Sequence, residues 1–132
     1  MADASYPEDL LYHPEHDWVR IDADDASLGT FGITWYAQDA LGEVVFFEPP
    51  EVGSKVTKDE PYAEVESVKA VSDVYAPMSG EIVEVNTALG DSPESINTDP
   101  YGDGWMVRVR LSNPDDEREQ LLTPTDYVAS LQ

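Results

Sequence analysis

The sequence predicts a mostly β domain with short helices, closed as a flattened barrel or sandwich. Three observations predict it. Short runs alternate apolar and polar side chains with the two-residue period of a half-buried strand. Turn clusters rich in Gly, Pro, Asn and Asp separate those runs. A Gly-led strand also recurs: Gly42-Glu43-Val44-Val45 is echoed 38 residues later by Gly80-Glu81-Ile82-Val83, and Val52-Gly53 by Leu89-Gly90 at nearly the same offset. Two such β units burying a shared face give pseudo-two-fold symmetry.

In chain order, residues 6–12 lead through a turn into a strand, and Trp18-Val19-Arg20-Ile21 continues with alternating character. Asp22 to Ala26 is a polar turn, and Ser27 to Ile33 returns as the second strand of a hairpin. The period then changes. Ile33, Tyr36, Ala37, Ala40 and Leu41 share one face of a short helix, with Thr34 as N-cap and Gly42 as its stop. Glu43 to Phe47 is a strand ended by Pro49-Pro50. Tyr62–Val68 and Val71–Tyr75 form a central hairpin, and Glu81–Val85 is a further strand. Residues 86–104 are rich in Gly, Pro and Asn and predict a long packed loop. Trp105 to Leu111 is the last strand. Asn113-Pro114-Asp115-Asp116 predicts a helix start with a capping side chain, and Thr125 to Leu131 a final short helix presenting Tyr127, Val128 and Leu131.

At 132 residues the chain is expected to be one domain, 1–132, with a core over about 11–111 and a C-terminal helical segment over about 113–131. Seven basic against twenty-eight acidic residues give a net charge of −21. Phosphates are repelled at such a charge, so nucleic acid and anionic membranes are not expected partners, whereas cationic protein surfaces are. The absence of cysteine removes disulfides, thiolate nucleophiles and Cys-based metal sites. No run reaches membrane-spanning length, and the N-terminus lacks a leader's pattern. A cytoplasmic, monomeric protein is expected. His13 and His16 lack helical ligand spacing and have a proline between them, so no metal site is expected there. No nucleophile–base pair is legible either, so no catalytic residue is assigned and the chain is not read as an enzyme.

One residue stands out. Lys69 is one of three lysines, and it falls between the two runs of the central hairpin. Lys55 and Lys58 lie in a polar, turn-rich stretch. On the residues alone, Lys69 reads either as a surface charge or as a modified tether at a hairpin tip.

The stretch Val65-Glu66-Ser67-Val68-Lys69-Ala70, continuing through Ser72-Asp73-Val74-Tyr75-Ala76-Pro77 to Gly80-Glu81-Ile82-Val83, resembles the lipoyl-attachment region of glycine cleavage system H proteins. His13-Pro14-Glu15-His16-Asp17-Trp18 resembles the N-terminal signature of that family. Gly32-Ile33-Thr34, Leu41-Gly42-Glu43-Val44-Val45-Phe46, and Asp99-Pro100-Tyr101-Gly102 with Gly104-Trp105 follow in the family's order. The similarity runs from about Leu11 to Leu131. It departs at Glu48-Pro49-Pro50-Glu51, where the family usually has Leu-Pro, and at Ser95.

The resemblance implies a barrel-sandwich hybrid of the lipoyl and biotinyl domain type, with a short helix after the first hairpin and C-terminal helices. It implies lipoate in amide linkage to Lys69. It implies an arm that takes an aminomethyl group from a PLP-dependent glycine decarboxylase and delivers it to a tetrahydrofolate-dependent aminomethyltransferase. A flavin-dependent (FAD) dihydrolipoyl dehydrogenase then reoxidises the arm, and a lipoylating enzyme attaches the cofactor at the outset. Glu66 and Asp73 flank the lysine and suit recognition by that enzyme. Asp17, Glu15 and Asp73 are the carboxylates expected in a cleft for the cationic loaded arm. An H-like relay that donates lipoyl groups to other enzymes is the alternative, and a carrier of another prosthetic group is the next.

Self-repulsion at a charge of −21 weakens the compact state and is screened by salt. The melting temperature should therefore rise between low and molar sodium chloride in a calorimetric series. A flat or falling series contradicts this.

Overall fold

The computed structural model describes residues 6–131. The part of the N-terminus read for a leader that covers residues 1–5 lies outside the described residues, as does Gln132.

Strands β1 (Leu11–His13), β2 (Asp17–Ile21) and β3 (Leu28–Ile33) form an antiparallel meander. Helix α1 (Trp35–Leu41) follows, then β4 (Val44–Glu48), the short β5 (Lys55–Val56), β6 (Pro61–Ser67), β7 (Val71–Tyr75) and β8 (Gly80–Val85). A 3₁₀ turn (Thr87–Gly90) and α2 (Ser95–Thr98) precede β9 (Val107–Leu111). Helices α3 (Pro114–Arg118) and α4 (Pro124–Ser130) end the described chain.

The strands pair as two sheets, one ordered β1-β2-β3-β9-β8-β5 and one ordered β4-β6-β7. Buried side chains from both sheets make one core, including Val19, Phe31, Val65, Val74, Ile82 and Val109. This is the expected barrel-like sandwich with short helices. The two repeated Gly-led strands fall in opposite sheets: β4 lies in the smaller one and β8 in the larger. Their glycines serve different ends. Gly42 has φ +83, a left-handed conformation that glycine adopts without strain, and it stops α1. At Gly80 a Cβ would sit far inside contact with the carbonyl oxygen of Arg110 on the neighbouring strand.

Two expectations are corrected, in the 86–104 loop and at Asn113. The apolar face of α1 is only partly buried: Tyr36 and Ala40 are exposed while Gln38 is buried. The helix borders a cleft on one side, and the Gln38 Oε1 accepts a hydrogen bond from Asn97 Nδ2 at 3.0 Å on the other. The 86–104 loop contains two helical turns, because Leu89 and Ile96 must be buried together in the core. Asn113 makes no side-chain cap bond; instead Glu117, within the same helix, accepts from Ser79 N and Oγ at 2.7 Å each, so α3 is held by tertiary contact. Thr34 and Thr123 do cap their helices, accepting from Ala37 N and Asp126 N.

A second apolar cluster joins the chain ends. Tyr12 on β1 stacks on Tyr127 of α4 with ring centroids 4.8 Å apart, and Leu10 and Trp18 complete it. The Tyr127 hydroxyl lies 2.8 Å from Thr34 Oγ1 and 2.8 Å from His16 Nδ1. One side chain thus ties the C-terminal helix to the cap of α1 and to the β1–β2 turn. Tyr127→Phe keeps the stack and strips both hydrogen bonds. It should cost about 1–3 kcal/mol in urea unfolding at an unchanged m-value; a midpoint equal to that of the parent protein overturns the account.

Candidate functional site

The β6–β7 hairpin puts Lys69 at an exposed tip. Its backbone is tightly held. Ser67 Oγ accepts from Lys69 N at 3.2 Å and from Ala70 N at 3.1 Å, and Ser67 N donates to Ala70 O at 2.8 Å. A serine fits here because its short side chain reaches the amides two and three residues ahead. Val68 N donates across to Glu43 O at 3.0 Å, so the β4 approach braces the tip from the side.

That brace is itself fixed by Asn97, which lies in the 86–104 stretch read as a long loop. Asn97 Oδ1 accepts from Val44 N at 2.8 Å and its Nδ2 donates to Gly42 O at 2.8 Å. The amide therefore clamps both sides of Glu43. The legible signal was an asparagine in a loop, which by itself could not name its partners.

The lysines now separate. Lys58 Nζ pairs with Asp59 Oδ1 at 3.0 Å, and its side chain is only 14% exposed. Lys55 is exposed on β5, opposite Glu81. Lys69 forms no ion pair among the described residues, and its Cε passes close to Gly42, 3.5 Å from where a Cβ would sit. A glycine there leaves room for the stem of the side chain.

Beside the tip runs a cleft of about 360 Å³. Tyr36, Ala37, Ala40 and Leu41 of α1 form one wall, and Ala70 to Tyr75 form the other. Glu15, His16 and Asp17 close one end. The exposed half of the α1 apolar stripe is thus a cleft wall. Of the expected carboxylates, Asp17, Glu15 and Asp73 all line this space; Glu66 does not. Glu66 is exposed in register between Phe46 and Val71 on the outer face of the smaller sheet.

Glu15 and His16 sit in the tight β1–β2 turn, where His16 N donates to His13 O at 2.9 Å. His16 has φ +74, the left-handed position a three-residue hairpin loop requires. A histidine tolerates it here because its ring is pinned by Tyr127 and lies 4.5 Å from the ring of Tyr36. Burial lowers its pKa, against the opposing pull of the Glu15 carboxylate.

Asp17 is buried at the start of β2 with 2% of its surface exposed. Among the described residues its Oδ2 has no hydrogen-bond partner. Burial pushes its pKa well above the usual carboxylate range, Glu15 adds to the rise, and the Tyr75 amide opposes it. An unpartnered buried carboxylate oxygen at the end of a cleft is a site for a cation.

An exposed, backbone-locked lysine beside a long cleft with a carboxylate at its end defines a swinging-arm carrier domain. It presents a tethered group rather than transforming one. The chain matches the family model described as "Glycine cleavage H-protein" over residues 10–132, and it belongs to that family of lipoate-bearing carriers. It is 54% identical over 129 residues to the glycine cleavage system H protein of Rubrobacter xylanophilus, covering 98% of this chain and 97% of that one. It is 52% identical to that of Symbiobacterium thermophilum over 126 residues, covering 96% and 95%. The crystal structure of a glycine cleavage system H protein from Mycobacterium marinum superposes with a TM-score of 0.85 at 43% identity, covering 96% of this chain and 98% of that chain. No helix among the described residues is long and apolar enough to cross a membrane.

The raised pKa of Asp17 has a definite sign. Unfolded, the carboxyl ionises near 3.8; folded, it ionises higher. The unfolded chain therefore holds fewer protons between those values, and this group's contribution to stability falls as pH rises through that window. Asp17→Asn removes the penalty. The variant's stability relative to the parent protein should climb from acid to neutral pH in urea titrations; a difference that stays level with pH is incompatible with a raised Asp17.

Proposed function

We propose that Lys69 Nζ carries lipoate in amide linkage and that the cleft ending at Asp17 shelters the arm's cationic, aminomethyl-bearing form. The proposal treats residues 1–132 as one carrier domain, with its core over about 11–111 and the C-terminal helical segment folded back onto it. The observation that carries it is the tip: among the described residues Lys69 is the lysine that is exposed, unpaired and mounted on a hydrogen-bonded hairpin. When bound, lipoate supplies a dithiol–disulfide couple and a thiol that can hold a one-carbon unit.

The protein's own residues supply placement. Ser67 and the Glu43 carbonyl keep the tether's root in one orientation, so an arm on Lys69 sweeps a limited volume and its effective concentration at a docked active site is high. Tyr36, Ala37, Ala40 and Leu41 offer an apolar wall to an aliphatic arm. Asp17 offers its free Oδ2 to an ammonium group, with Glu15 and Asp73 adding negative potential at the rim. A cation there stabilises the ionised carboxylate and brings the Asp17 pKa back down.

The partners implied are glycine decarboxylase, the tetrahydrofolate-dependent aminomethyltransferase, dihydrolipoyl dehydrogenase and a lipoylating enzyme. Glu66 lies on the outer face with Phe46 and Val71, where an enzyme attaching the cofactor could reach it, while Asp73 lies at the cleft rim. Protein expressed in a lipoylating host should gain the mass of one lipoyl group. Lys69→Ala should abolish both that gain and glycine decarboxylation in the reconstituted system. A biotin mass, or modification at Lys55, removes the assignment. Lipoylation at Lys69 without support of glycine decarboxylation points to the relay alternative.

A further inference from the structure

Among the described residues Asp17 Oδ2 lacks a hydrogen-bond partner although a histidine ring stands beside it. His13 is 3% exposed, and its Nδ1 lies 4.0 Å from Asp17 Oδ2. The two do not bond because Nδ1 is already used: it accepts from Glu15 N at 3.0 Å. An amide N–H can only donate, so Nδ1 must be the bare nitrogen and the ring proton must sit on Nε2. Nε2 meets Asp59 Oδ1 at 2.6 Å, and a carboxylate can only accept.

Asp59 occupies a costly position. It has φ +75 in the turn where Glu60 N donates to Thr57 O, a conformation that favours glycine. Its Oδ1 accepts from both His13 Nε2 and Lys58 Nζ, and both contacts keep the carboxyl ionised. A strained aspartate whose carboxylate caps a buried histidine is a positioning device in need of a purpose.

We propose that Asp59 and His13 together keep the Asp17 carboxylate open for a cationic ligand, Asp59 by holding the His13 proton on Nε2 and so away from Asp17. Were the proton on Nδ1, His13 would offer a donor to Oδ2 and drop the Glu15 amide that shapes the cleft's end. Glu15, His13, the Tyr75 amide and the Tyr62 and Tyr127 hydroxyls surround Asp17, and among them His13 is the one whose tautomer changes what Asp17 can bind. Both residues are positioning residues; neither lines the cleft itself. The inference rests on the sheltered-arm reading above.

The test uses full-length lipoylated protein and three measurements: imidazole ¹⁵N shifts, the hydrolytic lifetime of the aminomethyl-loaded form, and urea stability. The parent protein should show His13 protonated on Nε2 alone. Asp59→Gly should move proton population onto Nδ1 and shorten the loaded lifetime about tenfold. Its stability should change little, because glycine's freedom at φ +75 offsets the lost contact to His13. Adding His13→Asn to Asp59→Gly puts an amide oxygen where Nδ1 was and removes the titratable ring, so the lifetime should recover. An Nδ1–H tautomer in the parent, or an Asp59→Gly lifetime that is unchanged or shortens only with lost stability, overturns the proposal. So does a double variant no longer-lived than Asp59→Gly. A parent lifetime no longer than that of Asp17→Asn overturns the sheltered-arm reading itself, and this inference with it.

Discussion

The hydroxyl of Tyr127 is the contact on which the site's geometry depends. It bridges His16 Nδ1 and Thr34 Oγ1, each at 2.8 Å. His16 shapes the turn that carries Glu15 and Asp17. Thr34 caps the helix that forms the cleft's apolar wall. Both ends of the cleft's scaffold are thus referred to one buried ring from the far end of the chain. Burial raises the Tyr127 pKa, so the hydroxyl keeps its proton and remains able both to donate and to accept. The C-terminal helix packs on β1 and closes the site from behind, where a carrier reduced to its sheets would leave the turn unsupported.

The β6–β7 hairpin shows a complementary arrangement. Its lysine is free, but the backbone beneath it is not. Ser67 satisfies two tip amides, Glu43 a third, and Asn97 holds the chain on both sides of Glu43. The tip backbone is held by hydrogen bonds, while the Lys69 side chain is exposed and forms no ion pair among the described residues. Rigidity below the tether and freedom above it are what a carrier visiting several active sites needs, since each ordered residue lowers the entropy lost on docking.

The surface works at longer range. A net charge of −21 makes encounters with positively charged surfaces electrostatically steered and salt-dependent. On the outer face of the smaller sheet, Phe46 and Val71 flank Glu66 in one row, and Glu48, Glu64 and Asp73 align in a parallel one. Exposed apolar side chains among carboxylates place short-range contact beside long-range attraction next to Lys69.

Much of this was legible from residue order. Alternation at β6, β7 and β9, the Thr34 cap, the Gly42 stop and the lysine between paired runs are local patterns, and local periodicity determines local structure. Asp17, Glu15 and Asp73 could be nominated from the family resemblance, and all three line the cleft. The sequence by itself therefore determined the elements, the fold class and the place of Lys69 between two paired runs. Tertiary structure alone decided the rest: that Glu66 faces away from the cleft, that half of the α1 stripe is a wall rather than core, that Asn97 braces the tip, and that His13 is committed to Asp59, 46 residues away. These outcomes depend on which distant groups compete for the same hydrogen bonds once water is excluded. That competition is settled only when the sheets close and every buried donor must find a partner.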